Sequence, residues 1–208
     1  RQVVLEEIGT EGQKKLSEKN VAAVGLGALG SVSAELLVRA GIGQMLLIDR
    51  DIVEESNLPR QFLYAEEDVG KSKALAAKQR LEKINSRCQL RAEAIHLSKK
   101  SLDLLQDADL ILDCTDNLAT RFLINDYCKK EKRMWIYAAA LRSEGYVLPL
   151  FPDGPCLRCF LSEEASPETC ASAGVLNTII AGVASLQATI AIKILLGAER
   201  SRNLIHFD

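Results

Sequence analysis

Gly25-Leu26-Gly27-Ala28-Leu29-Gly30 has the spacing of a phosphate-binding loop, and it directly follows the apolar run Val21-Ala22-Ala23-Val24. In such a loop Gly25 permits a tight turn, Gly27 lets a phosphate approach the backbone, and Gly30 allows close packing of the helix that follows. The free N–H groups at that helix start favour an anion. Asp49 ends the next apolar run, where a carboxylate accepts from ribose hydroxyls. These features alone favour a dinucleotide oxidoreductase and do not separate NAD from ATP. The segment after Asp49 separates them. It is a polar loop, Asp49-Arg50-Asp51-Ile52-Val53-Glu54-Glu55-Ser56-Asn57-Leu58-Pro59-Arg60-Gln61, where a dehydrogenase would begin its next helix. Arg60, and Lys73 at the entry to a helix, are suited to hold a triphosphate. Asp116, in Asp113-Cys114-Thr115-Asp116-Asn117, is suited to hold Mg²⁺ through oxygen. Hydride transfer releases no pyrophosphate and needs no such set of cations and carboxylate.

These groups can meet only if the chain sets them at one edge of a sheet. Hydrophobic periodicity predicts strands over 21–24, 44–48, 89–94, 110–113, 134–140 and 145–151, with an edge strand within 203–207. It predicts helices over 10–18, 27–39, 71–84, 98–106 and 117–129. This alternation implies an α/β, Rossmann-like, mostly parallel sheet with helices on both faces, forming one domain over 1–208. Open sheets of this kind bind ligands beyond the C-terminal ends of their strands, where the Gly25, Asp49 and Asp116 segments fall. Residues 152–174, rich in proline, read as a long mobile loop. Residues 171–192 carry no charge, yet Asn177, Thr178, Ser185, Gln187 and Thr189 interrupt them. They read as a buried or subunit-interface helix rather than a membrane span, with Ala181, Ala184, Ala188 and Ala191 as its small contact residues.

With 26 Lys plus Arg against 28 Asp plus Glu, the net charge of −2 provides no basic footprint for nucleic acid or an anionic membrane. The run Lys129, Lys130, Lys132 and Arg133, interrupted by Glu131, reads as a solvated helix end. There are two His, His96 and His206, neither within a motif. Of the six Cys, only Cys156 and Cys159 form a tight pair, and the first residues resemble neither a secretory n-region nor a transit peptide. The expectation is a cytoplasmic, reducing setting with free thiols. Cys88, Cys114 and Cys128 fall in strand or helix patterns as small buried hydrophobes.

The chain resembles the ThiF/MoeB/HesA family, relatives of ubiquitin-activating enzymes. The resemblance rests on Arg1-Gln2, Gly12-Gln13, the glycine loop, Ala40-Gly41-Ile42-Gly43, Asp49-Arg50-Asp51, Ser56-Asn57-Leu58-Pro59-Arg60-Gln61, Val69-Gly70-Lys71-Ser72-Lys73, Asp113-Cys114-Thr115-Asp116-Asn117, Cys156-Leu157-Arg158-Cys159 and Ile192-Lys193-Ile194-Leu195-Leu196-Gly197, in order along the whole chain. It implies ATP-dependent adenylation of the C-terminal glycine of a ubiquitin-like β-grasp protein ending in Gly-Gly, a sulfur carrier or modifier. Asp49 would bind ribose beside Asp51, while Asn57, Arg60, Gln61 and Lys73 hold phosphates and Asp116 takes Mg²⁺. Arg1 would reach the phosphates of the partner subunit in a homodimer. Cys170 matches a loop cysteine that accepts the activated acyl group or a persulfide; an inert thiol is the other reading. Cys156 and Cys159 match half of a zinc site, whose second cysteine pair does not occur within 1–208. Two readings compete with adenylation: an NAD(P)-dependent oxidoreductase, and a catalytically silent scaffold of the same fold. The presence of Arg1, Arg60, Lys73 and Asp116 together argues against silence.

Overall fold

The computed structural model describes residues 1–161, 173–198 and 202–208. Seven strands form one sheet in the order β3-β2-β1-β4-β5-β6-β7, with β1 (Asn20–Val24), β2 (Gln44–Ile48), β3 (Gln89–Glu93), β4 (Leu110–Asp113), β5 (Trp135–Leu141), β6 (Glu144–Leu150) and β7 (Ile205–Phe207). The five strands β1 to β5 pair in parallel. The apolar runs at β1, β2 and β4 have no polar face because both sides of these strands are covered. Val21 and Ala23 join one core and Ala22 and Val24 the other; Met45 and Leu47 part from Leu46 and Ile48 in the same way.

The first core lies under helices α1 (Gly9–Leu16), α2 (Ala28–Ala40) and α3 (Lys73–Ile84), and under the long helix α5 (Asn177–Leu196). The second lies under α4 (Leu118–Lys130). By length and composition α5 could cross a bilayer, but Ile180, Val183, Ala184, Ala188, Ala191 and Leu195 are buried in the first core. Its small residues let it approach α2 closely. Cys88, Cys114 and Cys128 are buried free thiols, as their apolar settings require.

The sheet is mostly parallel, as the sequence implies, and three features refine that expectation. First, β6 runs antiparallel to β5, and β7 antiparallel to β6. Only Arg142 and Ser143 separate β5 from β6, and so short a connection can make only a hairpin, whereas a parallel crossover needs a dozen residues or more. Second, the 98–106 helix is a 3₁₀ segment, Lys99–Leu105, opened by Ser101, whose hydroxyl accepts from the Ser98 N–H at 2.9 Å and donates to the Ser98 carbonyl at 3.1 Å. Third, Lys129 is not simply solvated, since its Nζ donates to the carbonyls of Pro152 and Gly154 at 2.8 and 2.7 Å. It thereby ties the first part of the expected 152–174 loop to α4.

Three of the described helices are followed by a left-handed residue, a glycine after α2 and after α5 (Gly197, φ 83°) but a lysine after α4. Gly41 closes α2 at φ 89°, while Lys132 follows α4 at φ 53°. The Arg133 N–H closes onto the Cys128 carbonyl at 2.8 Å, a six-to-one bond that demands this turn. A β-carbon in that region is strained. Lys132→Gly is therefore expected to stabilise the fold by about 0.5–1 kcal/mol. That would raise the melting temperature by about 2–4 °C per kcal/mol for a chain of this size, measured by circular dichroism.

Candidate active site

The C-terminal ends of β1, β2 and β4 open into a cavity of about 570 Å³. Its walls include Gly25, Gly27, Asp49, Asp51, Asn57, Arg60, Gln61, Lys73 and Asp116. The fold thus brings together every residue of the expected nucleotide set except Gly30 and Arg1.

The glycine loop is shaped by three different constraints. Gly25 sits at φ +88°, and a Cβ there would lie 2.8 Å from the Cys114 carbonyl oxygen. A Cβ on Gly30 would lie 1.9 Å from the Gly25 carbonyl oxygen, so Gly30 is a packing residue, which is why it is absent from the cavity wall. Gly27 differs, since its Cβ would meet only Gln61 Nε2, at an ordinary 3.6 Å. Protein packing does not demand glycine there, whereas a close ligand does.

Asp49 is buried and holds the loop from below. One carboxylate oxygen accepts from the Leu26 N–H at 2.6 Å and the other from the Asp51 N–H at 2.8 Å. Burial pushes its carboxyl up, against the opposing pull of these two N–H groups and of Lys73. Each oxygen keeps a further lone pair for a ligand hydroxyl. Lys73 is also buried; its Nζ lies 3.6 Å from Asp51 Oδ2, and its own N–H donates to the Asp51 carbonyl. Asn57 lies in a 3₁₀ turn, Glu55–Asn57, where its Oδ1 accepts from the Glu54 N–H. Arg60 Nη1 donates to the Ser56 carbonyl at 2.7 Å, which fixes the guanidinium while leaving other N–H donors available. Gln61 is buried, and its Oε1 has no hydrogen-bond partner. A buried amide oxygen without a partner in a cavity wall is costly unless a ligand completes it.

The residues present fit Mg²⁺ held with a nucleotide. Asp116 is an exposed carboxylate in the cavity wall, and Asp51 supplies a second. No group of three or more His, Cys, Asp or Glu that could cage a metal exists among the described residues. Mg²⁺ usually takes one or two carboxylates and completes its shell with phosphate oxygens and water, so a cage is not required. Zinc is a different case. Cys156 and Cys159 face each other at 3.9 Å between sulfurs, but a structural zinc site takes four ligands, and the described residues assemble only these two. Burial raises the Cys156 thiol, yet hydrogen bonds from the Arg158 and Cys159 N–H groups, the Cys159 thiol and Asn125 outweigh it and leave it lowered. Cys170 lies outside the described residues. Arg1 precedes a 3₁₀ turn, Gln2–Val4, is exposed, and is not part of the cavity wall.

Several site residues carry no motif that sequence reasoning recognises. The buried phenol of Tyr64 donates to the Leu26 carbonyl at 2.9 Å and reaches the Lys73 carbonyl at 3.3 Å, so one side chain pins both the glycine loop and the start of α3. Gln187, fully buried in apolar α5, donates to the Asp113 and Ile136 carbonyls and accepts from Ser33 and Cys114. Exposed His96, just past β3, belongs to the cavity wall. A lone amide within an apolar run was the one readable signal among them, since a buried polar group must be paired.

The ThiF family profile matches residues 1–208. A "Sulfur carrier protein ThiS adenylyltransferase" of Bacillus subtilis is 42% identical over 215 residues, covering 100% of this chain and 63% of that protein. A "SAMP-activating enzyme" of Haloferax volcanii is 35% identical over 214 residues, covering 100% of this chain and 79% of that protein. Among solved structures, Escherichia coli MccB bound to MccA-N7isoASN superposes with a TM-score of 0.83 at 25% identity, over 93% of this chain and 62% of that one. The chain thus spans less than two thirds of the Bacillus relative's length. The glycine loop, the Asn57-to-Gln61 turn and the Asp116 loop meeting at one cavity agree with this likeness, and the chain belongs to the ThiF family.

Proposed function

We propose that the chain adenylates the C-terminal glycine carboxylate of a ubiquitin-like protein ending in Gly-Gly, with Mg-ATP as co-substrate and pyrophosphate as product. The observation that carries this reading is the joint presence of Arg60, Lys73 and Asp116 in the wall of the cavity above the glycine loop. In the reaction a carboxylate oxygen attacks the α-phosphorus, the bond to the bridging α–β oxygen breaks, and that oxygen leaves with its electron pair on pyrophosphate. The substrate carboxylate is already ionised, so no protein base is needed. Bound at Asp116, Mg²⁺ would neutralise charge on the departing phosphates. Lys73 and Arg60 supply fixed positive charge in a partly dry site, where it stabilises developing anionic charge most strongly. The N–H groups at the start of α2 add a preorganised anion cradle. Asp49 receives the ribose hydroxyls, and Gly27 leaves room for the phosphate chain. In a homodimer, Arg1 would act on the phosphates bound by the partner subunit.

Two measurements test this reading. Mg-ATP is expected to raise the melting temperature, by an amount set by about 2.7 kcal/mol at a hundredfold excess over Kd, while NAD leaves it unchanged. Exchange of labelled pyrophosphate into ATP should then require a Gly-Gly protein with a free C-terminal carboxylate, and its C-terminal amide should give none. Stabilisation by NAD and not by Mg-ATP would instead establish the oxidoreductase reading.

A further inference from the structure

Arg121, in the first turns of α4, is a buried cation whose side chain is only 10% exposed. A guanidinium is expensive to bury unless its charge and its donors are met. Here the charge is met by Asp113 and one terminal nitrogen by the Thr115 and Ala138 carbonyls, while Nε makes no hydrogen bond. Arg121 Nη2 donates to the Thr115 carbonyl at 2.6 Å and to the Ala138 carbonyl at 3.2 Å. Its Nε faces Asp113 Oδ2 at 3.3 Å, and its plane lies 4.8 Å from the centre of the Tyr137 ring. Asp113 turns its other oxygen to Thr115, accepting from the hydroxyl at 2.7 Å and from the N–H at 3.0 Å. Thr115 is thus gripped through its hydroxyl, N–H and carbonyl. On the far side of Asp116, the Asn117 side chain accepts from the Thr120 N–H at 2.8 Å and caps the same helix.

Asp116 therefore sits between two fixed residues while its own side chain remains exposed in the cavity wall. We infer that Arg121 is a positioning residue for Asp116: by holding the Thr115 carbonyl it fixes the direction in which the Asp116 carboxylate enters the cavity. This rests on the reading of Asp116 as the Mg²⁺ ligand. It assigns Arg121 no contact with the reacting atoms.

The test is calorimetric titration of ATP into the protein, with excess Mg²⁺ and with a chelator. The parent should bind ATP at least tenfold more tightly with Mg²⁺. Arg121→Met keeps an unbranched apolar stem and removes the donors. It should lose most of that gain, while metal-free ATP binding stays within twofold of the parent. Asp116→Ala should show the same pattern, and the double variant should be no worse than Asp116→Ala alone, because both act through one carboxylate. A merely structural role would weaken binding equally with and without the metal, and its effect would add to that of Asp116→Ala. Either result overturns the inference. If Arg121→Met does not fold, Arg121→Lys takes its place. One ammonium cannot serve both carbonyls and Asp113, so the Mg²⁺ gain should fall at least threefold, and an undiminished gain overturns the inference. A parent that binds ATP with no Mg²⁺ gain overturns the metal reading of Asp116 and this inference with it. A parent gain that survives Arg121→Met overturns the inference alone.

Discussion

Asp116→Ala is expected to lower pyrophosphate exchange by about a thousandfold while leaving the melting temperature within about 1 °C of the parent. The two halves of this expectation have separate causes. The side chain is exposed, so its removal opens no void and strands no buried partner. Surface substitutions of that kind stay within about 0.5 kcal/mol. On the proposed reading the carboxylate holds a divalent ion against the phosphates, and without it the leaving pyrophosphate loses that part of its charge compensation. Removing one such electrostatic element costs about 10²–10³ in rate, and loss of the metal's orientation adds to it. Asp116→Asn separates charge from volume: it keeps the size, removes the charge, and should fall almost as far. Exchange within tenfold of the parent in Asp116→Ala would place the Mg²⁺ elsewhere in the cavity.

The buried strands were readable because short apolar runs that end at a glycine or an aspartate leave little choice, as at β1 and β4. The glycine loop was readable because its glycines recur at a fixed spacing, with close backbone contacts at Gly25 and Gly30 and open space at Gly27. What was not readable depends on contacts distant in sequence. Tyr64 meets Leu26 across 38 positions, and Gln187 meets Asp113 across 74. Nothing local distinguishes Tyr64 from an ordinary core aromatic, and the amide within the apolar run at Gln187 signals a buried partner without saying which. The 3₁₀ form of 99–105 was missed for a different reason. Leu102 and Leu105 share a helical face, but paired Ser98 and Ser101 and the return into β4 at Leu110 leave little length for α-helical turns. The antiparallel edge followed from the length of one connection, which was visible at Arg142 and Ser143.

Charge burial marks the carboxylates that shape the loops of the site. Asp49 and Asp113 each end a strand, and burial pushes both carboxyls up. Both are met by backbone N–H groups of the following loop, so each anion fixes a turn. Asp51 and Asp116, two and three positions further on, are exposed in the cavity wall, Asp51 within ion-pair distance of Lys73 and Arg50. The pattern is the same on both strands: a buried carboxylate shapes the loop and an exposed one follows in the cavity wall. An extra positive charge delivered near Asp49 by a bound nucleotide's metal would favour its ionised form, so ligand binding and the acceptor role of Asp49 reinforce each other.

The second large effect distinguishes two glycines three positions apart. Gly30→Ala is expected to prevent accumulation of folded protein. Its Cβ would stand 1.9 Å from the Gly25 carbonyl oxygen and 3.2 Å from the Cys114 Cβ. The first contact is with backbone, which cannot swing aside as a long side chain can. Relief would require α2 to lift from β1 and β4, exposing Leu29, Ala34 and Leu37 of the first core, a loss well above the 1–3 kcal/mol of ordinary overpacking. Gly27→Ala should fold. Its methyl meets Gln61 Nε2 at 3.6 Å, an ordinary contact, so the fold has room for it. That methyl occupies the approach a phosphate must take to the N–H groups of α2. ATP affinity should therefore fall by at least about a hundredfold, some 2.7 kcal/mol, in a protein whose circular dichroism is that of the parent. Melting curves and ATP titrations on the two variants check both halves. A folded Gly27→Ala that binds ATP at parental affinity would mean that the phosphates do not cross the glycine loop, and the nucleotide would have to lie toward β3 and His96 instead.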